Sequence, residues 1–597
     1  MTLSITLKRA SGTAAIGLAL LAGTHAARAA SFIDPILSDP ASVCVARDTR
    51  AILRHYQKLA AKSETRPFVP PAGAAGATDA DAPLFTNLGK LTHPVTTASD
   101  TAQRYFDQGL RLAFAFNHAE ARRAFRTAQR HDPDCAICYW GEALVLGPNI
   151  NAPMDASAVA PALAAMRLAA EKAERASPVE QALIAALGKR YAADAGAERA
   201  TLDAAYAAAM SEVAARFPDD ETVQVLHAEA LMDLSPWDYW EAGGAKPKGR
   251  TAEIMATLEK VLARNPDHPG AIHFYIHIVE ASSQPERAVP HAKRLAAAMP
   301  GAGHLVHMPF HIYYRIGDYK AALAANKAAV AADESYLAQA KPKGMYPAAY
   351  YPHNVHSLMA SAQMAGDGKA ALAAAEKLAR VVTTDASRSI PWVQPIQAAP
   401  YFAHAQFSAP RTILALADPG DELPFVKAMW HYARGVAYAA RKDAAAAQAE
   451  ADAIARLKGG DWSALAAGGI PAAGVLELAR QVVHARIALG QDRLEEARAA
   501  FAEAGRLQDG LTYSEPPHRY YPVRQSLGAV LVRLGRLEEA ADAFRASLVQ
   551  SPNNGWALFG LGEVYRRTGE KAAAAEAKRR LGKAWAGDIK ALDLTRL

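Results

Sequence analysis

Nearly half of the nineteen histidines lie between His268 and His356, and their spacing is more informative than their number. His273, His277 and Glu280 stand at i, i+4 and i+7 in Ala271-Ile-His-Phe-Tyr-Ile-His-Ile-Val-Glu280. At about 100° per residue on a helix, they share one stripe roughly 60° wide. His304, His307 and His311 form a similar stripe in the next segment, and His353 and His356 lie in a third. Neutral imidazole is the commonest protein metal ligand, and two histidines one turn apart can bite a single ion. With a carboxylate one turn on, the set suits a transition metal such as Zn, Cu or Fe rather than Mg or Ca. The candidate ligands are therefore His273, His277, Glu280, His304, His307, His311, His353 and His356, with Glu280 as ligand or catalytic base. A single histidine of this kind is more commonly a packing residue that donates to a backbone carbonyl. Packing does not require imidazole in three successive segments on one stripe.

Other groups could complete such a site. Glu229 and Asp233 are i, i+4 neighbours, expected as solvated helix charges or as carboxylates orienting imidazoles. Tyr513-Ser-Glu-Pro-Pro-His-Arg-Tyr-Tyr-Pro-Val-Arg524 is a polar aromatic turn far along the chain. It would reach the histidines only if the array curls round. Cys135 and Cys138 open a helix as C-x-x-C, and a structural disulfide or a pair of buried thiols is expected over a redox pair, since no βαβ pattern surrounds them. His118, His131, His268, His404, His431, His484, His518, His55 and His93 stand outside the pattern. No G-x-S-x-G, H-E-x-x-H, phosphate-binding or dinucleotide-binding glycine pattern occurs.

The elements that must position these residues are helices. The composition leans on Ala, Leu, Glu, Arg and Lys, with little β-branched alternation. From Asp100 onward a helix, a Gly- or Asn-containing turn, an Ala-rich helix and a Pro recur. The clearest copy runs from Phe106-Asp-Gln-Gly-Leu through Phe116-Asn-His-Ala-Glu-Ala to Pro133; others begin at Tyr314-Arg-Ile-Gly-Asp-Tyr-Lys and Leu534-Gly-Arg-Leu-Glu-Glu. Gly109, Ala121, Phe125, Ala128 and Pro133 have the small-and-bulky spacing that lets paired helices nest. The chain resembles the tetratricopeptide repeat family over most of residues 100 to 588, in wording similar to exported bacterial repeat proteins. The resemblance implies an all-α solenoid of helical hairpins, a right-handed superhelix with a concave groove. It is nearly silent on activity.

The repeat register strengthens the histidine pattern. His273 and His307 are 34 residues apart, as are His277 and His311, and 34 is the repeat length of this family. Aligning Gly317-Asp-Tyr-Lys with Gly366-Asp-Gly-Lys gives an offset of one repeat plus a 15-residue insertion near Glu334 to Ala348, which carries Tyr336 and Tyr346. His304 and His307 then map onto His353 and His356. Since adjacent units stack by a small rigid rotation, equivalent positions become neighbours. In the family this stripe lines the inner groove, so the resemblance implies that these seven histidines and Glu280 face one cleft. Pro309 predicts a kink or a displaced helix start beside His304.

The remaining boundaries follow. Residues 1–29 read as a secretory signal: Lys8 and Arg9, an apolar stretch from Thr13 to Gly23, and Ala27-Arg28-Ala29. Residues 30–99 hold a helical pattern around Val43 to Lys62 and a Pro/Ala/Gly linker from Pro67 to Pro83. Residues 100–380 form a first array with the histidines, and 381–597 a second. Three of the six net positive charges, Lys8, Arg9 and Arg28, lie in the signal segment, so no case for a nucleic-acid partner remains. No segment has the roughly 20 apolar residues of a membrane span. The expected protein is exported, periplasmic in a Gram-negative host, with a transition-metal site in its groove that serves catalysis or metal handling. The alternative is a scaffold that grips a peptide or protein in that groove without metal.

Overall fold

The computed structural model describes residues 34–38, 82–194, 197–519 and 521–597. The signal segment, the Val43–Lys62 helical pattern, Cys44 and most of the Pro67–Pro83 linker lie outside the described residues. Among the described residues the chain is helical, with no strand and only two isolated bridges, Asn149 with Ala152 and Trp240 with Pro247. The fold is an all-α, tetratricopeptide-like stack of helical hairpins.

Hairpin nesting rests on the small-and-bulky spacing. The Asp100–Ala113 helix is capped by the Ser99 side chain, which accepts from the Ala102 amide. It packs on the His118–His131 helix, whose Phe125 ring is clasped between Gly109 and Gly141. A Cβ at Gly109 would stand 2.6 Å from that ring, and one at Gly141 2.5 Å. The same clasp recurs far along the chain, where Gly528 and Gly560 hold Phe544. The hairpin turns use left-handed backbone, at Gly317 (φ 76°), Gly366 (φ 77°) and Gly535 (φ 75°). In the first hairpin the corresponding turn residue is Phe116, at φ 54°.

The histidine segments are the first helices of their pairs. Pro269–Glu280 starts with Pro at its first turn and is capped by His268, whose Nδ1 accepts from the Ala271 amide at 3.2 Å. Pro309 lacks an amide hydrogen and splits the next segment into Gly303–His307 and Pro309–Arg315 around Met308. The third is Tyr351–Ala365. The insertion between them is no surface excursion. It lengthens the Tyr319–Ala340 helix and ends in a turn, Tyr346–Tyr350, that runs straight into the third segment.

Beyond the hairpins, residues 82–98 run extended along the first pair, and side chains of that pair take up its backbone amides. Gln108 accepts from Phe85, Asp107 from His93 and Gln103 from Val95. The last hairpins return to the first array: the Ala586 amide donates to the Ala365 carbonyl at 2.8 Å, and a Cβ on Gly317 would strike the Pro552 carbonyl. Residues 34–38 dock on the same hairpins, where Arg545 Nε bonds Asp34 Oδ2 at 2.6 Å and Arg580 donates to the Ile36 carbonyl. Cys135 and Cys138 are joined by a disulfide and fully buried, a staple at the start of the Ala136–Leu144 helix. No described helix is long and apolar enough to cross a membrane.

Candidate metal centre

Six of the seven striped histidines converge as two triads. In the first, His273, His277 and His304 bring one ring nitrogen each within 4.8 Å of the others. In the second, His307, His311 and His353 do the same. Each triad takes an i, i+4 pair from one segment, which in the second triad spans the break at Met308, and its third member from the following repeat. The two are therefore images of one another under the repeat.

The far nitrogens are held by acceptors. His273 Nδ1–H donates to the Phe114 carbonyl at 2.7 Å. His277 and His311 donate from Nδ1 to the two oxygens of Glu280, at 2.9 and 2.8 Å. His307 Nδ1 donates to Asn326 Oδ1 at 2.7 Å. Carbonyls and ionised carboxylates can only accept, so these imidazoles carry their hydrogen on Nδ1 and leave Nε2 as a bare lone pair. The bare Nε2 atoms of His307 and His311 face each other at 2.9 Å, whereas His353 and His304 can donate from Nε2 to His307 at 3.1 Å and to His273 at 3.2 Å. Two bare nitrogens at 2.9 Å repel unless a cation lies between them.

Four of the six rings disfavour a proton. Burial holds the His273, His304, His307 and His353 imidazoles well below their ordinary value, and neighbouring histidines push the same way. A metal ion fits. Nitrogens bound at about 2.0–2.1 Å in tetrahedral array stand roughly 3.3 Å apart, close to the separations seen here. Carbonyl or carboxylate partners on the far nitrogen are the usual support of a metal-binding histidine.

Glu280 was expected as a ligand or base; the geometry puts it behind the imidazoles. It is fully buried, and its oxygens accept from His277 and His311 and from the Tyr513 hydroxyl at 2.9 Å. Burial pushes its carboxyl up, but His311 and His277 outweigh that and hold it below its usual range. Tyr513 lies 233 residues away in sequence, so the array does curl round, as the aromatic turn required. Arg315 covers the Tyr513 ring at 5.6 Å. His356 joins neither triad and lines the adjoining cavity. Asp233 bonds Arg190 at 2.5 Å rather than an imidazole. Burial raises both Asp233 and Glu229, with the buried Arg190 opposing.

Three contributors were not foreseen. The Phe116 ring, swung inward by its left-handed turn, lies against every member of the first triad, 4.5 Å from His273, 5.5 Å from His304 and 6.3 Å from His277. Asn326 sits on an Ala-rich helix face that gave no warning. Asp333, fully buried and raised to about 7 by that burial, ties the third ligands down. It accepts from Asn354 at 2.7 Å and from Tyr346 at 2.8 Å, and the Tyr346 hydroxyl in turn accepts from the His304 amide. Phe116 had one readable signal: it occupies a slot that is Gly in the hairpins at 317, 366 and 535.

Beside the triads lies a cavity of about 590 Å³, lined in part by residues 513–518 and touched by His277, His304, His311 and His353.

No family model matches the chain, and no curated protein sequence matches it. Several solved structures are similar. A monomeric IFIT1 mutant with Gppp-AAAA shares 11% identity over 82% of this chain and 91% of that one, with a TM-score of 0.30. Naa15/Naa10 bound to HypK-THB shares 14% over 81% and 70%, TM-score 0.20. Yeast Tom70 shares 13% over 81% and 92%, TM-score 0.24. Likeness at this level assigns no activity, ligand or partner to the chain.

Proposed function

We propose that this chain is an exported metalloprotein that holds two transition-metal ions, one in each histidine triad. The carrying observation is the pair of Nε2 lone pairs on His307 and His311, turned toward one another at 2.9 Å with Nδ1 of both rings donating, in a triad whose plan the first triad repeats. A cation between them relieves that arrangement in a buried site. All-imidazole coordination favours Cu or Zn over Fe, because no carboxylate faces the ligand nitrogens. Three ligands per ion leave a coordination position open, and that is the composition of a catalytic rather than a structural site. Such an ion polarises a bound oxygen or lowers the pKa of bound water. The protein's own part is to orient six imidazoles, two of them through Glu280 behind their rings, exclude bulk water and hold Tyr513 beside the cavity.

A groove for a protein partner has less support. Residues 513–518 line the space beside the histidines, with Tyr513 bonded to Glu280, and that space has the size of a small-molecule site. Export rests on the basic and apolar start of the chain and is checked by fractionation of the native host.

Untagged protein should carry about two equivalents of Cu or Zn by elemental analysis. The His277→Ala/His311→Ala double variant should carry none while keeping its helical circular dichroism. Wild-type protein that takes up no metal on exposure to Cu or Zn, with no thermal shift, would overturn the proposal.

A further inference from the structure

The cavity next to the triads has a chemistry of its own. Its walls include Trp237, Tyr350, Trp392, Phe402 and Phe425. Trp237 stands edge-on to His277 with ring centroids 5.2 Å apart, and Trp392 lies 6.4 Å from both His353 and Tyr350. Most of the charged groups that reach it are matched; Glu515 is matched on one side, accepting from the Tyr513 hydroxyl on Oε1 at 3.3 Å, while its Oε2 has no partner. Arg199 bonds Asp203 at 3.0 Å, Asp233 bonds Arg190, and Glu280 is satisfied by two imidazoles and the Tyr513 hydroxyl. A ligand anion would therefore find no unmatched cation. One polar end of the cavity is the histidine floor, where the Nε2 atoms of His277 and His311 accept. A ligand suited to that floor turns a donor or an oxygen lone pair toward it. A volume of about 590 Å³ is in the range of small-ligand sites.

We infer that this cavity binds a small aromatic molecule of the phenol class, with its ring among the aromatic walls and its hydroxyl toward the histidine triads. The inference rests on the two-ion reading for the direction of the hydroxyl, but not for the fit of the ring. An aromatic ring gains edge-to-face contacts with the Trp and Tyr walls worth about 0.5–1.5 kcal/mol beyond area burial, which a saturated ring of the same size does not. Selectivity for the flat ring is thus the signature that separates this site from a merely greasy hole.

The test uses 4-ethylphenol and 4-ethylcyclohexanol with the full chain, once after chelation and once after loading with Cu or Zn. Binding is read by calorimetry and by tryptophan fluorescence, and metal content is measured on the same samples. Saturable one-to-one binding of 4-ethylphenol to the chelated protein is expected, about tenfold tighter than the cyclohexanol. The Trp237→Leu and Trp392→Leu variants should each weaken it severalfold at unchanged metal content. Trp237 is 38% exposed in a loop, and circular dichroism of its variant should match the wild type. No saturable binding in either form, equal affinity for the two alcohols, or indifference to both Trp variants would overturn the inference. Phenol binding by a protein that takes up no metal would sink the two-ion reading alone. Two bound ions with no phenol binding would sink this inference alone.

Discussion

The two triads share a plan and differ in their surroundings. In each, an i, i+4 pair binds from one side, the following repeat supplies the third ring, and the second histidine of the pair leans on Glu280. A shift of one repeat carries the first set onto the second, so ligand geometry is propagated by stacking alone. The cover is not propagated. The first triad is wholly buried beneath Phe116, whereas in the second His353 is only half-buried, near Trp392. A solenoid can thus copy a ligand set for nothing, while features that occur once decide how each copy meets its environment.

The sharpest way to break this comparison is to remove one triad at a time. His273→Ala should take the metal content from about two ions to one, and His307→Ala should do likewise for the other ion. Spectroscopy of the remaining Cu should differ between the two variants. If either change removes both ions, the six histidines form one shared site instead.

Glu280→Gln should weaken both ions together, each by about 10–100-fold in competition with a chelator, as loss of an orienting partner does. A loss confined to one triad would show that the shared carboxylate serves only that side. Phe116→Gly acts on the difference between the triads. It relieves left-handed strain in a bulky residue but strips the cover from His273 and His304. Chelator extraction of the first ion should accelerate severalfold and that of the second should not change, read by stopped-flow absorbance.

The smallest effect concerns acid. Burial lowers His268 to about 4 and His356 to about 3, so the folded state favours their neutral forms. For a base held neutral, stability is fully present above the unfolded value near 6.5 and is lost as pH falls toward the folded values. The melting temperature of the chelated protein should therefore drop between pH 7 and pH 5. Metal-loaded protein should resist acid further, because bound imidazoles must first release their ion. Equal acid sensitivity of the two forms would remove the triads from the account.

Much of the plan was legible in the sequence. The 34-residue spacing of His273 with His307 and of His277 with His311, and the match of His304 to His353, bring six of the rings together. Pro309 does break its helix. Spacing along one helix cannot say which nitrogen of a ring points inward, however, and that decides whether Glu280 binds an ion or an imidazole. Asn326 and the Phe114 carbonyl are invisible for the same reason: their role depends on what packs opposite. Asp233 looked available for a histidine until the fold delivered Arg190, whose guanidinium makes the stronger claim on a buried carboxylate.

The return of the chain upon itself has a mechanical corollary. Ordinary repeat arrays can fray unit by unit from an end, because each unit answers only to its neighbours. Here the final hairpins lean on the turns at Gly317 and Gly366, residues 34–38 latch onto Arg545 and Arg580, and Tyr513 touches Glu280. Among the described residues the last hairpins are tied back to earlier ones, so a fault introduced near residue 550 would be felt some two hundred residues upstream, at the imidazoles.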